Sequence, residues 1–123
     1  MRKIQLQEMS VSQLVERFIA IALEQDRALL MAESAKFNQL FGLMETVKAE
    51  LRSRESDQRS ALIPLQNHTN AQVRLKAAIA ILAIAPSAAR QTLETISERD
   101  EYPQAAYAQD MLHAIDTGSI VPV

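Results

Sequence analysis

A chain of 123 residues, 48% apolar and 23% charged, has the size and balance of one folded domain, which excludes a disordered polymer. The absence of cysteine removes disulfide and thiolate chemistry and points to a reducing, cytoplasmic setting. A net charge of −2 argues against the broad basic face of a nucleic-acid binder, and the longest apolar run, residues 77–85, is too short to span a bilayer.

Two glycines and four prolines are too few for the tight turns of a strand-rich fold, whereas good helix formers abound. Residues 1–9 show no helical periodicity and no apolar run or small-residue cleavage site of a secretion signal. They are expected as a frayed extension, with Met9 as an alternative start. Ser10, with Gln13 three residues on, predicts a capping box opening the first helix. Val11, Leu14, Val15, Phe18, Ile21, Ala22 and Leu29 then share one face, and Ile19, Leu23 and Leu30 form an apolar shoulder.

A second helix is expected over residues 35–54, capped by Ser34, with Phe37, Leu40, Phe41, Met44, Val47 and Leu51 as its stripe. The short link around Glu33 makes the first two helices an antiparallel hairpin. A shorter third helix, capped by Ser56 or Asp57, carries Ala61, Leu62 and Leu65 inward and is disturbed by Pro64. Asn70 caps a fourth helix, residues 71–85, which bears no charge beyond Lys76 and is expected to be the most buried. Pro86 ends it. Ser87 opens a fifth helix with Ala88, Leu93 and Ile96 inward. Pro103 starts a sixth, with Ala106, Tyr107, Met111, Leu112 and Ile115 inward and Gly118 as its stop. Residues 10–118 thus read as a single all-α domain of about six helices in antiparallel pairs, and residues 119–123 as an apolar tail.

Leu62-Ile63-Pro64-Leu65, Asn70, Val73-Arg74, Ala77-Ala78 and Leu82 together resemble the HEAT-repeat signature. The resemblance implies a right-handed α-α superhelix, with Arg74 reaching back to carbonyls or an acid in the inter-helix turn; the usual turn aspartate is replaced near His68. The fifth and sixth helices look like a second, degenerate pair, with Arg99-Asp100 in the turn and Ala106 in its second helix. From Ser12-Gln13-Leu14-Val15-Glu16-Arg17-Phe18 onward, the chain resembles a family of small uncharacterised bacterial proteins with a HEAT-like fold. That family has no established activity, so the resemblance implies a fold and not a function.

No constellation for chemistry is expected: no catalytic residue, no cofactor and no metal. There is no Gly-x-Ser-x-Gly, no phosphate-cradling glycine loop and no duplicated ligand pair. Asp110-x-x-His113 shares a helical face but lacks the second copy a metal site requires, and reads more simply as a solvated face. Charge is uneven. After Arg90 one base, Arg99, faces Glu94, Glu98, Asp100, Glu101, Asp110 and Asp116. The expected function is therefore a non-catalytic protein-binding module that masks a basic partner, in the manner of an immunity protein or antitoxin. Glu98, Asp100, Glu101 and Asp110 supply the acidic field. Tyr102 and Tyr107 supply the anchors, and Gln72 and Lys76 flank them on the fourth helix. Two alternatives stand beside it: an enzyme on a helical-repeat scaffold, of the DNA-repair kind, and a homo-oligomeric structural protein, a homodimer for instance, using the shoulder of the first helix.

Overall fold

Ser10 opens the first helix through side-chain bonds in both directions. Its hydroxyl accepts the Gln13 amide at 3.1 Å, and the Gln13 carbonyl accepts the Ser10 amide at 2.8 Å. In this computed structural model, which describes residues 5–123, helix α1 spans Val11–Leu30 and α2 spans Ser34–Ser53. The described residues form helices and no strand. They divide into two compact units, the first ending at Ala61 and the second running from Leu62 to Val123. No helix among them is long and apolar enough to cross a membrane.

In the first unit, α1 and α2 pack along each other, and a link of three residues makes the pair antiparallel. Ala32 turns the corner in the left-handed region, at φ 54°. Leu14, Phe18, Ile21 and Ala22 of α1 are buried, as are Leu40, Met44, Val47 and Leu51 of α2. The stripe of α2 is narrower than expected: Phe41, a hundred degrees round the helix from Leu40, stays 48% exposed. Ser34 is already helical, and Glu33 occupies the cap position without a side-chain bond. Of the stretch expected to be frayed, residues 1–4 lie outside the described residues. Leu6–Glu8 form a 3-10 turn, and the carbonyls of Leu6 and Met9 accept hydrogen bonds from the Arg54 guanidinium at 3.0 and 2.9 Å.

The third expected helix is a 3-10 helix, Gln58–Asn67. Three residues per turn place Leu62 and Leu65 on one edge, and both are buried, while Pro64, which has no N–H to donate, is exposed. Asp57 caps the start, its carboxylate accepting from the Arg59 amide and guanidinium.

In the second unit, Asn70 caps α3 (Ala71–Ala80) by accepting the Gln72 and Val73 amides. Seven of the ten residues of α3 are buried. The helix stops at Ala80, five residues before the expected end. A residue preceding proline is driven out of the helical region, and Ala85 is non-helical at φ −144° and ψ 64°. The chain uses residues 81–84 as turns, and Pro86 becomes the first residue of α4 (Pro86–Glu98). α4 buries Ala89, Leu93 and Ile96; Ala88 is half-buried. After the Arg99–Pro103 corner, α5 (Gln104–Thr117) packs on α4 and touches α3. It turns inward a different face from the one expected: Ala105 and Ala108 are buried, Ala106 and Tyr107 exposed. Alanines at the contact let two helices approach closely, which a ranking by side-chain bulk misses. Gly118 ends α5 in the left-handed region at φ 73°, and the amides of Ser119 and Ile120 return to the Ala114 carbonyl. Val121 and Val123 of the tail are exposed.

Candidate functional site

Arg74 lies in the first turn of α3, just after the Asn70 cap, so a long side chain there reaches back over the preceding turn. Its Nε donates to the His68 carbonyl at 2.8 Å, and one terminal nitrogen donates to the Thr69 carbonyl at 3.4 Å. Its two terminal nitrogens bind both Glu101 oxygens, at 2.7 and 2.8 Å. Such a bidentate, charge-assisted pair fixes orientation as well as distance. The acid absent from the turn before α3 is thus supplied by the turn before α5. The Arg74 hydrogen bonds hold the Glu101 carboxyl below the ordinary carboxylate range, and Glu101 in turn raises Arg74.

This clamp sets the corner on which most of the expected binding residues lie. Glu98, Asp100 and Asp110 are exposed and make no ion pair among the described residues. Asp100 itself sits in the left-handed region at φ 53°. Tyr102 is 60% and Tyr107 47% exposed. On α5, Ala106, Tyr107, Asp110 and His113 all face solvent at helical spacing.

Two expected contributors are placed elsewhere. Gln72 is buried, and its side-chain oxygen accepts a 2.9 Å hydrogen bond from Gln104, so it belongs to the interior of this unit and not to a binding face. Glu101 is committed to Arg74. Lys76 is half-buried on α3. The acidic field is also smaller than the sequence count implies. Arg90 pairs with both Glu94 (3.2 Å) and Asp116 (2.9 Å), so three of the six acids after Arg90 are paired, by two arginines between them.

Beside the clamp lies a groove of about 720 Å³, lined by the end of the 3-10 helix, the turn before α3 and one side of α4. Two of its residues, Gln66 and Arg99, are not among the expected binding residues. The Gln66 side chain has both its oxygen and its nitrogen buried without a hydrogen-bond partner. Arg99 is exposed at the groove and forms no ion pair among the described residues, though its charge acts on Glu101. No sequence signal distinguishes Gln66 from a solvated glutamine. Among the described residues, no three His, Asp or Glu side chains converge as a metal site would require.

Residues 12–116 match the family described as "Domain of unknown function (DUF2019)". A solved structure, the crystal structure of the protein RPA1889 from Rhodopseudomonas palustris CGA009, is similar at 42% identity and a TM-score of 0.94; the match covers 98% of this chain and 100% of that one. No curated protein matches the chain. The chain belongs to the DUF2019 family.

Proposed function

We propose that this member of the family is a non-catalytic protein-binding module that covers a basic surface on its partner. The observation that carries the reading is the pairing, on one corner, of two exposed tyrosines with unpaired carboxylates. Tyr102 and Tyr107 offer large, rigid contact area; Glu98, Asp100 and Asp110 offer a negative rim. The Arg74–Glu101 clamp, reaching from the turn before α3 to the corner before α5, keeps that corner in a fixed shape, which lowers the ordering cost of binding.

A HEAT-like right-handed superhelix is the architecture we assign to this module. It is supported by the spacing of Leu62, Leu65, Val73, Arg74, Ala77 and Leu82, and by an arginine that links the turn of one helix pair to that of the next. The lack of cysteine suits a reducing cytoplasmic setting.

The test compares affinity capture of partners by wild type, by Tyr102→Ala/Tyr107→Ala and by Glu98→Lys/Asp100→Lys/Asp110→Lys at low salt. Glu101 is left intact because it is structural. A basic protein retained by the wild type should be lost from both variants, and from the wild type as salt screens the rim beyond ~10 Å at 0.1 M. An unchanged set of captured proteins in both variants would overturn the reading.

A second reading rests on the first unit. Leu30 and Met31 at the end of α1 are 78% and 62% exposed, and Leu23 and Phe41 are about half exposed. Such an apolar face suits a second copy of the chain. Light scattering should then report a dimer that Leu30→Glu dissociates.

A further inference from the structure

His68 stands in the turn between the 3-10 helix and α3, and three hydrogen bonds meet on it. Its amide donates to the Leu65 carbonyl at 3.1 Å, its carbonyl accepts from Arg74 Nε at 2.8 Å, and its ring accepts the Asn70 amide at Nδ1 at 3.0 Å. The last bond is the one an aspartate or asparagine side chain makes two residues ahead in an Asx-turn, here made by a titratable ring. We propose that His68 is an acid-sensitive latch, which holds the turn before α3 and the Arg74–Glu101 clamp together while its ring is neutral and releases them when the ring takes a proton.

The latch follows from what each ring nitrogen can do. A neutral imidazole has one acceptor nitrogen, and the Asn70 amide uses it; an imidazolium has two donors and no acceptor. Protonation therefore sets an N–H against the N–H of Asn70, whose side chain caps α3 by accepting the Gln72 and Val73 amides. It also loosens the residue whose carbonyl positions the Arg74 guanidinium, and that guanidinium holds Glu101 beside Tyr102 in the chain. Arg74 of α3, Arg99 at the end of α4 and Glu101 before α5 are the charged groups that share the groove wall with His68. Both Glu101 oxygens are engaged by Arg74, so a charged ring would join two arginines on that wall without a carboxylate of its own. The unfolded chain has no such bond to lose, so the contribution of the latch is whole at neutral pH and lost as pH falls.

Urea unfolding of the whole chain at about pH 7.5 and about pH 5.5, which bracket the range where histidines change charge, compares wild type with His68→Asn. The variant keeps an acceptor for the Asn70 amide but does not titrate. His113, the other histidine, is common to both proteins and cancels, and Glu101, held low by Arg74, stays charged throughout. Over that step the wild-type unfolding constant should rise about fivefold more than that of His68→Asn, as loss of one hydrogen bond implies. In ¹⁵N-labelled wild type, Nδ1 of His68 should carry no proton at the higher pH. The amides of Asn70, Glu101 and Tyr102 should then shift together as the ring is protonated. Equal pH dependence in both proteins, or an Nδ1 that carries the proton at the higher pH, would overturn the proposal. A shift of Asn70 with Glu101 and Tyr102 unmoved would overturn the link to the clamp.

Discussion

The guanidinium of Arg74 holds both carboxylate oxygens of Glu101, 27 residues later, at 2.7 and 2.8 Å. The two side chains are 11% and 28% exposed, so water competes weakly for the pair. Removing one partner leaves the other part-buried with its charge unmatched. Glu101→Ala should therefore cost ~1–3 kcal/mol in urea unfolding, and Arg74→Met at least as much because two carbonyls lose their donor as well. Arg74→Lys should recover only part of this, since an ammonium cannot bind both oxygens and reach the His68 carbonyl together.

Acid should weaken the fold through the same pair. Glu101 is held below its ordinary value of 4.5, chiefly by the Arg74 hydrogen bond. A carboxyl lowered in the folded state stabilises the protein above its unfolded value, and that contribution is lost as pH falls through the folded one. Asp57, lowered from 3.8 chiefly by its hydrogen bond to Arg59, adds to the effect at still lower pH. The urea midpoint should fall steadily as pH is taken below about 4.5. In Arg74→Met the decline should be shallower, because the main cause of the Glu101 shift is then gone.

Burial separates two leucine-sized positions. Ile81 is fully buried at the end of α3, so Ile81→Ala should cost ~2–5 kcal/mol. Leu30, 78% exposed, should change stability by less than about half a kilocalorie when cut to alanine. Thermal unfolding of the two variants side by side checks the contrast. An equal, large loss in Leu30→Ala at high protein concentration only would instead mark Leu30 as a contact between copies.

The buried amides of Gln72 and Gln104 should be coupled. Gln104→Leu withdraws the 2.9 Å donor from the buried Gln72 oxygen. A double-mutant cycle with Gln72→Leu should return a coupling of ~0.5–3 kcal/mol, with the double variant less destabilised than the sum of the singles. Additivity would mean that the two amides do not depend on each other.

At the helix ends the expected losses are local. Gly118→Ala puts a Cβ in the left-handed region and should cost ~1–2 kcal/mol. Ser10→Ala removes the capping box of α1 at a cost of ~1 kcal/mol. Circular dichroism melts resolve both.

Local signals were legible in the sequence because local atoms satisfy them. Ser10 with Gln13, Asn70 and Gly118 act within four residues of where they stand, so the composition and spacing alone place α1, the start of α3 and the end of α5. The return of Arg74 to the carbonyls before α3 belongs to the same class, since one side chain spans that turn. The pairing of Arg74 with Glu101, the burial of Gln72 and Gln66, and the face α5 turns inward depend on which helix lies against which. These contacts join residues far apart in the chain, where periodicity carries no register. The acidic character of the last third was plain from the order of residues. Arg90 meets Glu94 one turn along the same helix, a local pair, whereas only the tertiary structure brings Arg74 against Glu101 and Arg90 against Asp116 and leaves Glu98, Asp100 and Asp110 as the unpaired acids.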